Sequence, residues 1–193
     1  MTMELGQGGA LDRILRVGPW VVAAVLISIP LLAMQVTEEV DWTLSDFAII
    51  GALLFGGCAL YELAARTTRS ITHRLAVGIA IGTGFLLIWI NLAVGIVGSE
   101  DNAANLMYVG VLALGVLGAL FVRGRPQGMA RVLAAMALAH VLIAAVTLSA
   151  GWGSEGENWP QVIIVLNGVF ALAWLISAAL FHRAARERKL ESA

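Results

Sequence analysis

Four strongly polar side chains, Glu62, Asn91, His140 and Asn167, lie within long apolar runs of this 193-residue chain. An imidazole that changes charge near neutral pH, accompanied by two amides, has the chemistry of a proton relay or of a site for a polar ligand. Asn91, His140 and Asn167 also have a plainer use. In hydrocarbon an unpaired amide is costly, so these groups can serve as hydrogen bonds between helices. Both readings stay open from the residues alone, and the residue types favour the second. Glu62 stands four residues before Arg66, the spacing of a same-face ion pair near a helix end.

Other chemistries find fewer parts. A catalytic zinc site wants about three protein ligands, and a bis-histidine haem wants two imidazoles at one depth. His140 is the one histidine inside an apolar run, while His73 and His182 sit in charged segments. No metal site and no cofactor is expected. The chain has no Walker A loop, nucleophile elbow, HExxH or lysine within an apolar run, and its acidic loops lack EF-hand spacing. No two titratable groups are placed to divide acid and base roles, so an enzyme is not expected.

The elements that must position these residues are six apolar runs, 17–36, 47–65, 75–98, 106–122, 132–152 and 160–181. A bilayer core about 30 Å thick takes about 20 helical residues to cross, so each run is long enough to span. With 60% apolar and 13% charged residues, the composition excludes a soluble globular enzyme. The longest connection, 37–46, is too short to fold as an extramembrane domain. The expected fold class is all-α, a polytopic bundle of six transmembrane helices with tails at 1–16 and 182–193.

Counted at 1.5 Å per residue, Asn91 and Asn167 fall about 10 Å inside one end of their runs, and His140 about 12 Å inside the opposite end of its own. On the third run Ala80, Gly84, Leu87, Asn91, Gly95 and Gly98 are expected to share a helical face. His140, Ala144, Thr147 and Gly151 do so on the fifth, and Asn167, Ala171, Trp174 and Ala178 on the sixth. The three stripes are expected to meet in one polar centre.

Charge fixes the expected orientation. The twelve basic residues fall in four segments: Arg13 and Arg16; Arg66, Arg69 and Arg74; Arg123, Arg125 and Arg131; Arg183, Arg186, Arg188 and Lys189. Alternating passes put all four on one side, which the positive-inside rule makes cytoplasmic, so both termini are expected inside a bacterial inner membrane. The intervening loops hold only acids: Glu38, Glu39, Asp41, Asp46, Glu100, Asp101, Glu155 and Glu157. The basic rim suits anionic lipid headgroups of the bilayer and needs no nucleic acid. The first run exceeds the 7–15 residues of a signal-peptide core and reads as a retained helix. Cys58, alone within the second run, reads as a packing residue.

Local signals mark helix starts. Thr43-Leu44-Ser45-Asp46 is a capping box, with Thr43 and Asp46 as its partners. Asn102 and Asn158 are expected caps for the fourth and sixth helices, the latter with Pro160 early in the helix. Trp42, Trp152, Trp159 and Tyr108 read as anchors at the outer interface, and Trp20 and Tyr61 at the inner one. Pro30 removes the donor for the Leu26 carbonyl and is expected to kink the first helix, with Ser28 compensating. Gly78, Gly82, Gly110, Gly115 and Gly118 allow close helix approach. Gly98-Ser99-Glu100 echoes Gly153-Ser154-Glu155. Three hairpins of like orientation do not form the inverted repeat found in many transporters.

Asp41-Trp42-Thr43-Leu44-Ser45-Asp46-Phe47 and the stretch from Trp89 to Asn102, with Trp89-Ile90-Asn91 and Val97-Gly98-Ser99-Glu100-Asp101-Asn102, resemble a family of small uncharacterised bacterial integral membrane proteins of six helices. The resemblance runs nearly end to end, with Ala103 where a Pro is expected. It implies topology and brings no activity. The expected function is a non-enzymatic accessory or scaffold protein that meets another membrane protein or its own copies. The alternative is a small permease or channel with a polar midplane site.

Overall fold

The computed structural model describes residues 4–68, 70–156 and 158–191, with side chains from residue 13 to residue 190. Arg69 and Glu157, and the carboxylates of Glu4, Asp12 and Glu191, lie outside the described residues. Six α-helices follow in order: α1 (Glu4–Ala33), α2 (Leu44–Arg66), α3 (Ile71–Ala93), α4 (Leu106–Phe121), α5 (Pro126–Ala150) and α6 (Gln161–Glu191). Among the described residues there is no strand, and all six helices are long and apolar enough to cross a membrane. The fold is an all-α bundle.

Helix boundaries follow local chemistry. Thr43 and Asp46 close a reciprocal capping box at the start of α2, with the Thr43 amide donating to Asp46 Oδ2 over 2.7 Å. Just outside it Trp42 packs edge-on against Phe47, ring centroids 5.3 Å apart, the contact of a hydrophobic staple. Ser70 caps α3 by accepting from the His73 amide at 3.2 Å. Pro126 opens α5, where a missing amide hydrogen costs nothing, and Gly151 at φ +68° ends it.

The apolar run 75–98 does not end as a helix. α3 stops at Ala93, and Gly95 and Gly98 adopt φ of +71° and +70°, a region open to glycine and costly for other residues. A Cβ on Gly95 would lie 2.5 Å from the Ser99 backbone. Residues 94–102 therefore form a tight loop leading into a 3₁₀ turn, Ala103–Asn105, ahead of α4. The other helices match their runs at the apolar centre, but α6 continues through 182–191, where Ala, Arg, Glu and Lys are good helix formers. In α1, Ser28 donates to the Ala24 carbonyl at 2.7 Å, two residues before the Leu26 carbonyl that Pro30 deprives and that Ser28 was expected to compensate.

The chain forms two compact units, Met1–Arg69 and Ser70–Ala193. In the first, α1 and α2 pair as a hairpin: Trp20 stacks on Phe55 with centroids 6.1 Å apart, and Ile27 sits 3.6 Å from where a Gly51 Cβ would be. In the second, α6 packs against both α3 and α5, and α4 packs against α5. Gly115 and Gly118 bring α4 close to α5, since a Cβ at either would stand 2.8 Å or less from Met136 or Val132. Gly82 and Gly110 have open space instead. At the Ser70 end, Ser177 Oγ donates to the Ala76 carbonyl at 2.7 Å. The Glu187 carboxylate there accepts from Ser70, Thr72 and Arg183, fastening the start of α3 to the end of α6.

Candidate functional site

The second unit buries a cluster of polar side chains contributed by three helices. Asn167 of α6, His140 of α5 and Tyr108 of α4 are 2%, 0% and 1% exposed. Asn167 Nδ2 donates to the Ile163 carbonyl of its own helix at 2.9 Å, which fixes the orientation of the amide. Nδ2 also lies 3.0 Å from Tyr108 Oη, and Oδ1 lies 3.2 Å from that hydroxyl and 3.1 Å from His140 Nδ1. An amide oxygen only accepts, so His140 donates through Nδ1–H and its Nε2 is left as a bare acceptor. The imidazole is held between rings, with Phe170 stacked at 5.3 Å and Tyr108 tilted at 5.5 Å.

Asn91 does not join this centre. Its Nδ2 turns back to the Leu87 carbonyl at 2.7 Å, one turn earlier in α3, and its buried Oδ1 has no hydrogen-bond partner. Four further buried side-chain polar atoms lack partners among the described residues: His140 Nε2, Thr147 Oγ1, Trp159 Nε1 and Trp174 Nε1. Tyr108 takes the place expected of Asn91. Its position two residues into α4 suggested an interfacial anchor, but the helical phase that turns Val111 inward turns Tyr108 inward as well.

A second polar construction was not anticipated at all. Asn105, 8% exposed, uses its whole amide on the loop after α3: Oδ1 accepts from the Ile96 and Val97 amides at 3.0 and 2.9 Å, and Nδ2 donates to the Val97 and Ser99 carbonyls at 3.3 and 2.7 Å. An asparagine just before an apolar helix reads as a cap, yet Asn105 makes no capping bond. Asn102 caps the 3₁₀ turn, accepting from Ala104 N at 2.9 Å, and not α4 itself. Asn158 contributes to the start of α6 through its main-chain carbonyl, which accepts from the Val162 amide at 2.9 Å.

The loop clamped by Asn105 meets the loop between α5 and α6. A Cβ on Gly153, at φ +76°, would stand 2.8 Å from Gly98 N, so the two Gly-Ser-Glu segments touch through their glycines. Between them opens a groove of about 870 Å³ that reaches Asn102, Met107, Trp152 and Glu155.

No family model, curated protein or solved structure matches the chain. The functional argument therefore rests on its own geometry. Glu62 and Arg66 form an ion pair on α2, Oε1 to Nε 3.0 Å, with Arg66 largely exposed. Among the described residues no three of His, Cys, Asp and Glu gather as metal ligands would. Cys58 is buried with a free thiol.

Proposed function

We propose that this chain is a non-enzymatic accessory or scaffold protein of a bacterial inner membrane, both termini cytoplasmic, working beside another membrane protein or copies of itself. The observation that carries this reading is how the polar centre is used. Every Asn167 polar atom is spent on Ile163, Tyr108 or His140, and all three side chains are sealed from solvent. A solute path would keep such groups open to exchange partners. Here they tie α4, α5 and α6 together, as interhelical hydrogen bonds in hydrocarbon do. Inner-membrane placement and orientation are supported by the segregation of basic residues from acidic loops. Anionic headgroups are the proposed lipid partners of the basic segments.

A small permease is the second reading, favoured by one observation: His140 Nε2 is a buried acceptor with no partner. Native mass spectrometry of the protein extracted from its own membrane in mild detergent separates the two. A second chain at fixed stoichiometry, or a homo-oligomer free of solute, supports the scaffold. A monomer carrying a small polar solute that is lost in His140→Leu supports the permease.

A further inference from the structure

The turn between α4 and α5 gathers three guanidinium groups that nothing in the fold uses. Arg123, Arg125 and Arg131, with Gln127, line an open pocket of about 680 Å³ bordered by Leu120 and Phe121. No carboxylate lines it, and none of the three arginine side chains makes a hydrogen bond or ion pair among the described residues. Phe121 is 90% exposed beside it.

The backbone adds to this field. Arg125 is the N-cap residue of α5 and provides no side-chain capping bond, and the first turn of α5 contains no acid. The leading amides of that helix therefore keep their partial positive charge toward the pocket, which favours an anion. Arg123 sits at φ +51°, where a residue other than glycine is strained, followed by Gly124 at φ +64°. Glycine would relieve the turn at no cost in packing that the fold reveals. The strain instead sets Arg123 on the pocket rim, and strain of this kind gathers at ligand-binding positions.

We propose that this pocket is a binding site for the phosphodiester headgroup of an anionic phospholipid. Arg123, Arg125 and Arg131 hold the phosphate oxygens, arginine forks being matched to that geometry. Leu120 and Phe121 lie against the first carbons of an acyl chain, the arrangement of basic pockets between membrane helices. The apolar border is what selects a lipid over a soluble phosphate. The proposal rests on the membrane reading of the chain and is independent of the scaffold role.

The test uses the full chain in nanodiscs and in detergent. Native mass spectrometry of protein ejected from discs of equal phosphatidylglycerol and phosphatidylcholine is expected to retain about one phosphatidylglycerol per chain, at least tenfold over phosphatidylcholine. R123Q/R125Q/R131Q, whose positions are exposed, is expected to enter discs normally and lose that preference. Equal retention of the two lipids by the unmodified chain, or an unchanged preference in the triple variant, overturns the site. Thermal stabilisation of delipidated protein by millimolar inorganic phosphate, matching that by phosphatidylglycerol, overturns the lipid assignment in favour of a soluble phosphate. A chain that enters no disc overturns the membrane reading itself, and the site with it.

Discussion

Tyr108 Oη stands 3.0 Å from Asn167 Nδ2, joining residues 59 positions apart on α4 and α6, which otherwise each pack against α5. With His140 on α5 hydrogen-bonded to the same asparagine, one amide links three helices.

That linkage makes Asn167 costly to remove. Asn167→Ala leaves the His140 Nδ1–H and the Tyr108 hydroxyl buried without partners, and a lost buried partner costs about 1–3 kcal/mol. The melting temperature in detergent is expected to fall by several degrees. Asn91→Leu is the contrasting change: it deletes an acceptor that already lacks a partner, so its melting temperature is expected to stay level or rise.

Asn105→Ala opens the loop after α3. The Ile96 and Val97 amides lose their buried acceptor together. Hydrogen exchange at those two amides is expected to accelerate at least tenfold while amides in the middle of α5 stay protected. Equal acceleration in α5 would mean that the clamp holds the whole second unit, not the loop alone.

Gly153→Ala and Gly82→Ala should differ in sign. At Gly153 the added methyl meets Gly98 N at 2.8 Å with φ at +76°, so a loss of about 1–2 kcal/mol is expected from the backbone alone. Gly82 lies inside α3 with open space around its Cβ direction, and alanine there is worth up to about 1 kcal/mol of helix propensity. Paired thermal melts check both.

Arg123→Gly relieves the left-handed residue in the α4–α5 turn. A gain of about 1 kcal/mol is expected, read as a higher melting temperature in lipid-free detergent. In phosphatidylglycerol discs the gain should shrink, because the same change removes a phosphate contact.

The helices were legible because long apolar runs leave few alternatives: a chain whose backbone must satisfy itself in hydrocarbon forms helices. What was not legible depended on direction, not composition. Gly95 reads as one more small residue in an apolar run, and only its positive φ shows that α3 has ended two residues earlier. Asn91 and Asn167 are indistinguishable by type and depth, yet one turns back to its own helix while the other reaches α4 and α5. Tyr108 lies near an end of its run, where tyrosines anchor to interfaces, and its inward phase emerges only once α4 is packed. Asn105 serves main-chain groups 6–9 residues away, a relationship with no periodic signature.

The most direct test of the polar centre as an interhelical lock is a double-mutant cycle on thermal stability with His140→Leu, Asn167→Leu and the double variant. If the two side chains stabilise the bundle through each other, the double variant loses less than the sum of the single losses, by about 1 kcal/mol or more. Strictly additive losses would contradict the lock, because they would mean that the 3.1 Å contact between His140 and Asn167 carries no coupling energy.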